Sequence, residues 1–169
     1  TGDMGIDLDL FEVALGEAAA RDVPVTVHAE DETLFDESAL DGDLGGVGTA
    51  ATADAWSAYR TAKAEEAAIK RAVESGTASD AQVHIAHTST PEGIDAVTAA
   101  REVSDGDGAD APPTLTCEVT PHHLFLSREN AGRLGTFGRM NPPLRSESRR
   151  SAVFERLRDG DVDVVATDH

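Results

Sequence analysis

Histidine and carboxylate side chains stand directly after short apolar runs at several points of the chain, a spacing typical of metal sites. His28 and His87 each end such a run, and Asp168 follows the last one. A polar segment at residues 118–123 follows a further run. Neutral imidazole and carboxylate are the usual nitrogen and oxygen ligands of Zn²⁺ in proteins. The pattern therefore predicts a metal-dependent hydrolase, although for any one histidine taken alone packing in the core is the alternative.

The apolar runs alternate with helical patterns, which indicates a chain of strand–helix units. Apolar, largely β-branched runs predict strands at residues 23–28, 82–87, 114–119 and 161–167. Apolar residues at helical spacing predict helices near residues 8–18, 54–74, 91–100 and 147–158. Strands in strict alternation with helices form a parallel sheet, whose carboxyl ends meet at one ligand-binding edge. The fold class is therefore α/β, either an open doubly wound sheet or part of a (β/α)8 barrel.

Turn-forming residues indicate where these elements stop. Asp7 or Asp9 can cap the first helix, and Ser75–Gly76 is expected to end the second. The glycine-rich residues 41–48 are expected to form a lid or excursion, and residues 104–113, rich in Asp and Gly, a solvated surface loop.

The composition excludes several classes of function. The 169 residues suit one domain, and 14 Lys and Arg against 32 Asp and Glu give a net charge of −18. Phosphate backbones would repel such a chain, which argues against nucleic-acid binding as its main role. No run approaches the ~20 apolar residues of a membrane span. The single cysteine, Cys117, cannot form an internal disulfide, and no leader precedes the first helix, which together favour the cytoplasm.

The kind of charge is also informative. Lys63 and Lys70 are the only lysines, the other twelve cationic side chains are arginines, and Asp outnumbers Glu. Concentrated salt screens the self-repulsion of such an acidic surface. We interpret the composition as an adaptation to a halophilic life, with an ordinary acidic protein as the alternative.

Five segments carry a specific resemblance. They are VHAED at residues 27–31, HIAHTST at 84–90, EVTPHHLFL at 118–126, RMNPPLR at 139–145 and VATDH at 165–169. Together they resemble the dihydroorotases of the amidohydrolase superfamily, in that family's order and across nearly the whole chain. The EVTPHH and MNPPLR strings resemble dihydroorotases more than hydantoinases or allantoinases.

The resemblance implies a (β/α)8 barrel with one or two zinc ions at its carboxyl rim, of which residues 1–169 would form a partial catalytic domain, about strands five to eight. By motif, His28 resembles the strand-five zinc ligand and His87 the strand-six ligand. Asp168 resembles the strand-eight aspartate, both ligand and proton shuttle. Asn141 resembles the asparagine that hydrogen-bonds the pyrimidine ring of the substrate.

The other histidines of these segments are expected to have supporting roles. His84 precedes His87 by three residues within the same predicted strand, so its side chain should point away from the rim and pack. His122 and His123 follow a proline in a turn, and we expect them to support the site rather than to take part in catalysis.

The reaction that the resemblance implies is the reversible closure of N-carbamoyl-L-aspartate to L-dihydroorotate in pyrimidine biosynthesis. Zinc would lower the pKa of a bound water and polarise the scissile carbonyl. Asp168 would accept the proton of that water and pass it to the leaving ring nitrogen. The implied partner is this small-molecule substrate; the oligomeric state is left open, a homo-oligomer included.

Two parts of the family's ligand set have no counterpart in the sequence, namely the His-x-His pair of strand one and the carboxylated lysine or aspartate of strand four. Residues 1–5 resemble the segment just after strand four in that family, so the strand-four ligand is expected immediately upstream of residue 1. A substrate-binding histidine is likewise expected beyond His169. We therefore expect a fragment of a longer protein, which alone would be inactive and bind zinc weakly or not at all.

Two alternatives remain open from the sequence. One is another cyclic amidohydrolase, an allantoinase or dihydropyrimidinase, which opens a different ring amide. The other is a non-catalytic dihydroorotase-like subunit that scaffolds a transcarbamoylase. Substrate preference separates the first, and the presence of the upstream His-x-His pair separates the second.

Overall fold

The computed structural model describes residues 5–41, 50–104 and 115–168. Its strands are β1 (Val25–Val27), β2 (Val83–Ile85), β3 (Leu115–Val119) and β4 (Val164–Val165). Its α-helices are α1 (Leu8–Ala19), α2 (Ala50–Tyr59), α3 (Ala62–Ser79), α4 (Pro91–Ser104), α5 (Pro121–Phe125), α6 (Ala131–Leu134) and α7 (Glu147–Asp159). Short 3-10 turns lie at Glu32–Leu34, Glu37–Leu40, Arg128–Asn130 and Gly135–Gly138.

The strands form one sheet in the order β1–β2–β3–β4, and every pair is parallel. Val25 is in register with Val83, and Val83 with Leu115. The predicted parallel α/β arrangement is confirmed, with strands shorter than the sequence indicated. Because the strands are parallel and in register, the segments that follow them meet at one edge.

The β2–β3 pair has two unlike faces. The apolar face carries Val83, Ile85, Leu115 and Cys117, each at most 1% exposed, and it packs on α3 and α4. The polar face carries His84, Thr116 and Glu118, all less buried, and Thr26 of β1 is in register with His84. This alternation follows from the two-residue period of a strand. The apolar face therefore stabilises the fold, and the polar face carries the side chains that can take part in chemistry.

The close approach of α3 to the sheet depends on a glycine. A Cβ atom on Gly76 would lie 2.7 Å from Cγ2 of Val83, which is too near for any larger residue without a shift. The expectation that α3 ends at Ser75–Gly76 is therefore wrong, because Gly76 lies within the helix and serves the packing. The helix instead continues to Ser79 and ends at Asp80, whose φ of 55° is left-handed.

Capping side chains explain two other boundaries. Asp7, one of two predicted caps, accepts a hydrogen bond from the backbone N of Leu10 at 2.8 Å and begins α1. The single helix predicted over residues 54–74 is two helices, because Thr61 has extended backbone and its hydroxyl caps α3 through the N of Ala64. Arg60 stands at this break between α2 and α3, where it can reach the site.

Residues 42–49 and 105–114 lie outside the described residues, and with them nearly all of the predicted lid at 41–48 and of the predicted loop at 104–113. Within the part of the chain that the structure describes, no helix is both long and apolar enough to cross a membrane.

Candidate metal centre

Two histidines that follow neighbouring strands lie side by side. The register of Val27 with Ile85 brings the segments after β1 and β2 together. Nδ1 of His28 lies 3.0 Å from Nε2 of His87, and the two rings meet nearly edge to face with centroids 4.7 Å apart. Two of the three predicted ligands are thus in contact, with one nitrogen of each ring facing the other. Such a pair of imidazoles can hold a cation between them.

The backbone at His87 is unusual and is fixed by a carboxylate from β3. His87 has a φ of 39°, in the left-handed region that residues with side chains rarely adopt. Its backbone N donates to Oε1 of Glu118 at 3.1 Å, and the N of Thr88 donates to the carbonyl of Glu118 at 2.8 Å. Glu118 therefore holds the turn that directs the His87 ring.

His87 is only 6% exposed, and Nδ1 of its ring is buried without a hydrogen-bond partner among the described residues. Burial lowers the pKa of His87, and the proximity of His28 lowers it further, while the charges of Asp168, Glu65 and Glu118 act in the opposite direction. The ring is therefore neutral near pH 7, which is the form that binds metal ions.

The His28 ring is held from its other side. Its Nε2 donates to Oε2 of Glu30 at 3.0 Å, and Glu30 also accepts hydrogen bonds from the guanidinium of Arg60. The Glu30 side chain is fully buried. Burial by itself would raise the pKa of Glu30, but the hydrogen bonds from His28 and Arg60 outweigh it and lower the pKa. Glu30 is thus a carboxylate.

Asp168, the third predicted ligand, is at the same edge but is not in the pair. It follows β4, is exposed, and has a left-handed φ of 54°. Its charge acts against the lowering of the pKa of His87 and of His122. Among the described residues no hydrogen bond joins it to either, and no group of three or more His, Cys, Asp or Glu side chains converges closely enough to hold a metal ion.

His84 differs from its expectation. Its Nδ1 lies 2.8 Å from the hydroxyl of Thr116 and its Nε2 lies 3.1 Å from Oε2 of Glu118, on the polar face of the sheet. The prediction that it packs in the core is wrong, because its side chain lies on the polar face, although among the described residues no hydrogen bond joins it to His28 or His87. That prediction extended strand alternation to residue 87, whereas β2 ends at Ile85 and the backbone of His87 is left-handed.

His122 and His123 follow Thr120, whose hydroxyl caps α5. His123 is buried, with Nδ1 2.8 Å from the Thr120 hydroxyl and Nε2 3.0 Å from the carbonyl of Pro142. These contacts tie α5 to the segment that carries Asn141, in keeping with the predicted supporting role. Burial lowers the pKa of His122, the charge of Asp168 acts in the opposite direction, and that of His87 lowers it further.

Asn141 lies on α2 rather than against the histidine pair. Its Oδ1 accepts a hydrogen bond from Nε1 of Trp56 at 2.9 Å, which leaves the amide NH₂ group as a donor. The guanidinium of Arg139 lies 4.0 Å above the Trp56 ring, and that of Arg60 lies 5.5 Å from it. Arg60 thereby joins this cluster to Glu30 and His28.

Arg139 is one of few cations without an ion pair in the part of the chain that the structure describes. Ten of the twelve arginines form ion pairs with Asp or Glu side chains. Arg133 and Arg139 have no such partner among the described residues. In a chain with 32 acidic residues, an arginine that is stacked on a tryptophan and has no carboxylate there is available to an anionic ligand.

Sequence reasoning missed a buried charged pair behind the site. Glu65 and Arg145 are 1% and 5% exposed and form an ion pair at 2.8 Å. Glu65 accepts from the backbone N of Ser89 at 2.6 Å, and Arg145 donates to the Ser89 hydroxyl and to the carbonyl of Arg60.

Glu30, Glu118 and Arg145 stand within the quoted segments and could have been noticed there. Nothing in the sequence marks Arg60 or Glu65.

No protein-family model matches the chain. All 169 residues align at 59% identity with a dihydroorotase of Halobacterium salinarum and cover 35% of that protein. A dihydroorotase of Methanosarcina mazei is 37% identical over 171 residues and is covered to 36%. The chain is similar to dihydroorotases along its entire length. The resemblance to dihydroorotases that the sequence predicts is confirmed, and the chain spans about a third of the length of these relatives.

Two further relatives show how widely the likeness extends. An allantoinase of Salmonella paratyphi B is 32% identical to the chain over 178 residues, with 36% of that protein covered. Among solved structures, the L-hydantoinase of Arthrobacter aurescens superposes on the whole chain with a TM-score of 0.83 at 24% identity, over 36% of its own length. The likeness to dihydroorotases is thus accompanied by the fold of a hydantoinase, and the predicted partial barrel is confirmed.

Proposed function

We propose that the protein carrying this chain is a dihydroorotase, which interconverts N-carbamoyl-L-aspartate and L-dihydroorotate in pyrimidine biosynthesis, and that residues 1–169 form part of its catalytic domain. The observation that carries the proposal is the 3.0 Å contact between Nδ1 of His28 and Nε2 of His87 at adjoining strand ends. The similarity to dihydroorotases over the whole chain supplies the substrate class.

The residues of this edge fit a zinc ion. His28 and His87 would hold it through Nδ1 and Nε2, respectively, which face each other at 3.0 Å. Asp168 would complete the set from this chain, and further ligands would come from elsewhere in the full-length protein. A bound zinc ion lowers the pKa of a coordinated water and polarises an amide carbonyl.

Asp168 would move the proton. Asp168 is exposed just after β4, at the edge of the sheet where His28 and His87 follow β1 and β2. In the hydrolytic direction it would accept a proton from water and deliver it to the ring nitrogen that leaves, which is the task of a general acid–base group. In the direction of ring closure it would take the proton from that nitrogen.

The chain's own side chains favour an anionic substrate. Arg139 is stacked on Trp56 beside the free amide NH₂ of Asn141 and has no carboxylate partner among the described residues. N-carbamoyl-L-aspartate and L-dihydroorotate both carry a carboxylate, whereas allantoin and hydantoin rings carry none. A guanidinium and an amide together suit a carboxylate and a ring carbonyl. This arrangement favours dihydroorotase over allantoinase or dihydropyrimidinase.

The test is a substrate comparison on the full-length protein, purified in high salt with zinc. We expect hydrolysis of L-dihydroorotate and cyclisation of N-carbamoyl-L-aspartate, with little turnover of allantoin, hydantoin or dihydrouracil. Removal of metal with a chelator should abolish the activity, and zinc should restore it. Turnover of allantoin alone would instead identify an allantoinase, and inactivity on every one of these substrates would favour a non-catalytic subunit.

We further propose that the protein works in a salt-rich cytoplasm. The support is the net charge of −18 with two lysines, and a lone cysteine whose thiol is buried and free. Solubility and activity should both rise between low and molar KCl, and a fall would count against the halophilic interpretation.

A further inference from the structure

Both nitrogens of the His28 ring have a partner within hydrogen-bond distance, and the two partners differ in chemical type. Nδ1 faces the imidazole of His87 at 3.0 Å, and Nε2 faces the carboxylate of Glu30 at 3.0 Å. A carboxylate accepts hydrogen bonds and does not donate them. The proton of a neutral His28 ring therefore belongs on Nε2, and the lone pair of Nδ1 is directed at the space shared with His87.

Glu30 can do this because Arg60 holds it. The guanidinium nitrogen Nε of Arg60 donates to both oxygens of Glu30, at 3.1 and 3.0 Å, and Nη2 donates to Oε2 as well. The side chains of Glu30 and Arg60 are 0% and 5% exposed. Arg60 in turn lies 4.7 Å above the ring of Phe35 and 5.5 Å from that of Trp56. A buried carboxylate with this many partners has a single orientation.

The same network reaches the His87 side of the pair. Arg145 donates to the backbone carbonyl of Arg60 and to the hydroxyl of Ser89, two residues beyond His87. It also pairs with Glu65, which binds the backbone N of Ser89. Arg145 thus fixes both the segment that carries Arg60 and the segment that carries His87.

We propose that Glu30, clamped by Arg60, is a positioning residue that keeps the proton of His28 on Nε2 and so presents Nδ1 as a metal ligand. The inference rests on the proposed metal centre and deepens it. Carboxylates that hold the second nitrogen of a ligating imidazole set its tautomer and orientation, and their removal weakens metal binding about 10–100-fold.

The test measures zinc affinity by chelator competition in the full-length protein, for Glu30→Ala, Glu30→Gln and Arg60→Met. Glu30→Ala should weaken zinc binding by about 10–100-fold. Glu30→Gln keeps an oxygen that can accept from Nε2, so it should recover much of the affinity. Arg60→Met removes the clamp but not the acceptor, so its loss should lie between the other two.

The control is Asp163→Asn. Asp163 is also paired with an arginine, Arg101, and also accepts a backbone hydrogen bond, from the N of Cys117, but it precedes β4, which β2 and β3 separate from β1 and His28. Its replacement should leave zinc affinity unchanged. A second readout is the visible absorption spectrum of the cobalt-loaded protein, which should shift in Glu30→Ala and not in Asp163→Asn.

Zinc affinity in Glu30→Ala equal to that of the wild type would overturn the inference while leaving the proposed function intact. An equal loss in Glu30→Ala and Asp163→Asn would also overturn it, since the effect would then be one of stability. A wild-type protein that binds no zinc would contradict the proposed function itself. If Glu30→Ala does not fold, the zinc affinities of Glu30→Gln and Arg60→Met decide. The inference would be contradicted if both variants bound zinc as tightly as the wild type.

Discussion

The apolar and polar faces of the β2–β3 pair are made by alternate residues of the same strands and differ in what they hold. On the apolar face, Ile85, Leu115 and Cys117 are almost completely buried among the side chains of α3 and α4. On the polar face, His84 and Glu118 are partly exposed and hydrogen-bonded to each other. Successive residues of a strand point to opposite faces, so residues that stabilise the core alternate here with residues that can take part in chemistry.

The largest effect is expected from the exposed end of β4. In the full-length protein, Asp168→Asn should lower turnover by about 10²–10⁴-fold, the usual contribution of a general acid–base group. Much of the metal should remain bound, because His28 and His87 are unchanged. Turnover rates and metal content would be measured on the same preparation, and normal turnover would rule out the role assigned to Asp168.

The two faces should respond differently to substitution. Ile85→Ala on the apolar face should lower the free energy of unfolding by about 2–5 kcal/mol, since it removes buried methylene groups and leaves a cavity. Thr116→Val on the polar face keeps the shape and removes the hydrogen bond to His84, so its effect should be about 1 kcal/mol. Urea denaturation of the full-length variants would compare them. Equal losses of unfolding free energy in the two variants would mean that both faces contribute alike to stability.

The exposed arginine on Trp56 should act on substrate binding alone. Arg139→Met should raise KM for L-dihydroorotate about tenfold with little change in kcat, as expected for loss of one charged hydrogen bond. Arg133→Met is the matched control, because Arg133 is the other arginine without an ion-pair partner among the described residues and lies on α6. If both variants behave alike, Arg139 has no special role toward the substrate.

The smallest effect is expected when the native protein is treated with a thiol reagent, because Cys117 lies on the apolar face. Burial raises the pKa of Cys117 to about 12, so at pH 8 the reactive thiolate is on the order of 10⁻⁴ of the total. Iodoacetamide should therefore leave Cys117 unmodified in the native full-length protein and modify it in urea, as measured by mass spectrometry of the peptide. Fast native labelling would show that this face opens readily.

The sequence was sufficient for the order of the strands and for the meeting of their carboxyl ends at one edge. Apolar runs placed β1, β2 and β3 correctly, and the residues after β1 and β2, His28 and His87, proved to be neighbours because parallel strands align their ends. The direction of His84 could not be obtained in this way. It depends on where β2 ends, and that is decided by contacts of the Glu118 side chain and backbone with the turn at residues 87–88.

Two other features were not predicted, one for a local reason and one because it depends on a distant partner. The break between α2 and α3 comes from the capping hydroxyl of Thr61, which competes with the helix propensity of the alanine-rich sequence around it. The pairing of Glu65 with Arg145 joins positions 80 residues apart, and no local pattern signals it. Buried charged pairs of this kind become visible only when the fold is known.

The central claim is that the His28 and His87 imidazoles bind one metal ion between them. Anomalous diffraction at the zinc edge from crystals of the zinc-loaded full-length protein tests it most directly. The account predicts a zinc peak about 2.0–2.1 Å from both Nδ1 of His28 and Nε2 of His87. A zinc peak elsewhere, with these two nitrogens still hydrogen-bonded to each other, would contradict it.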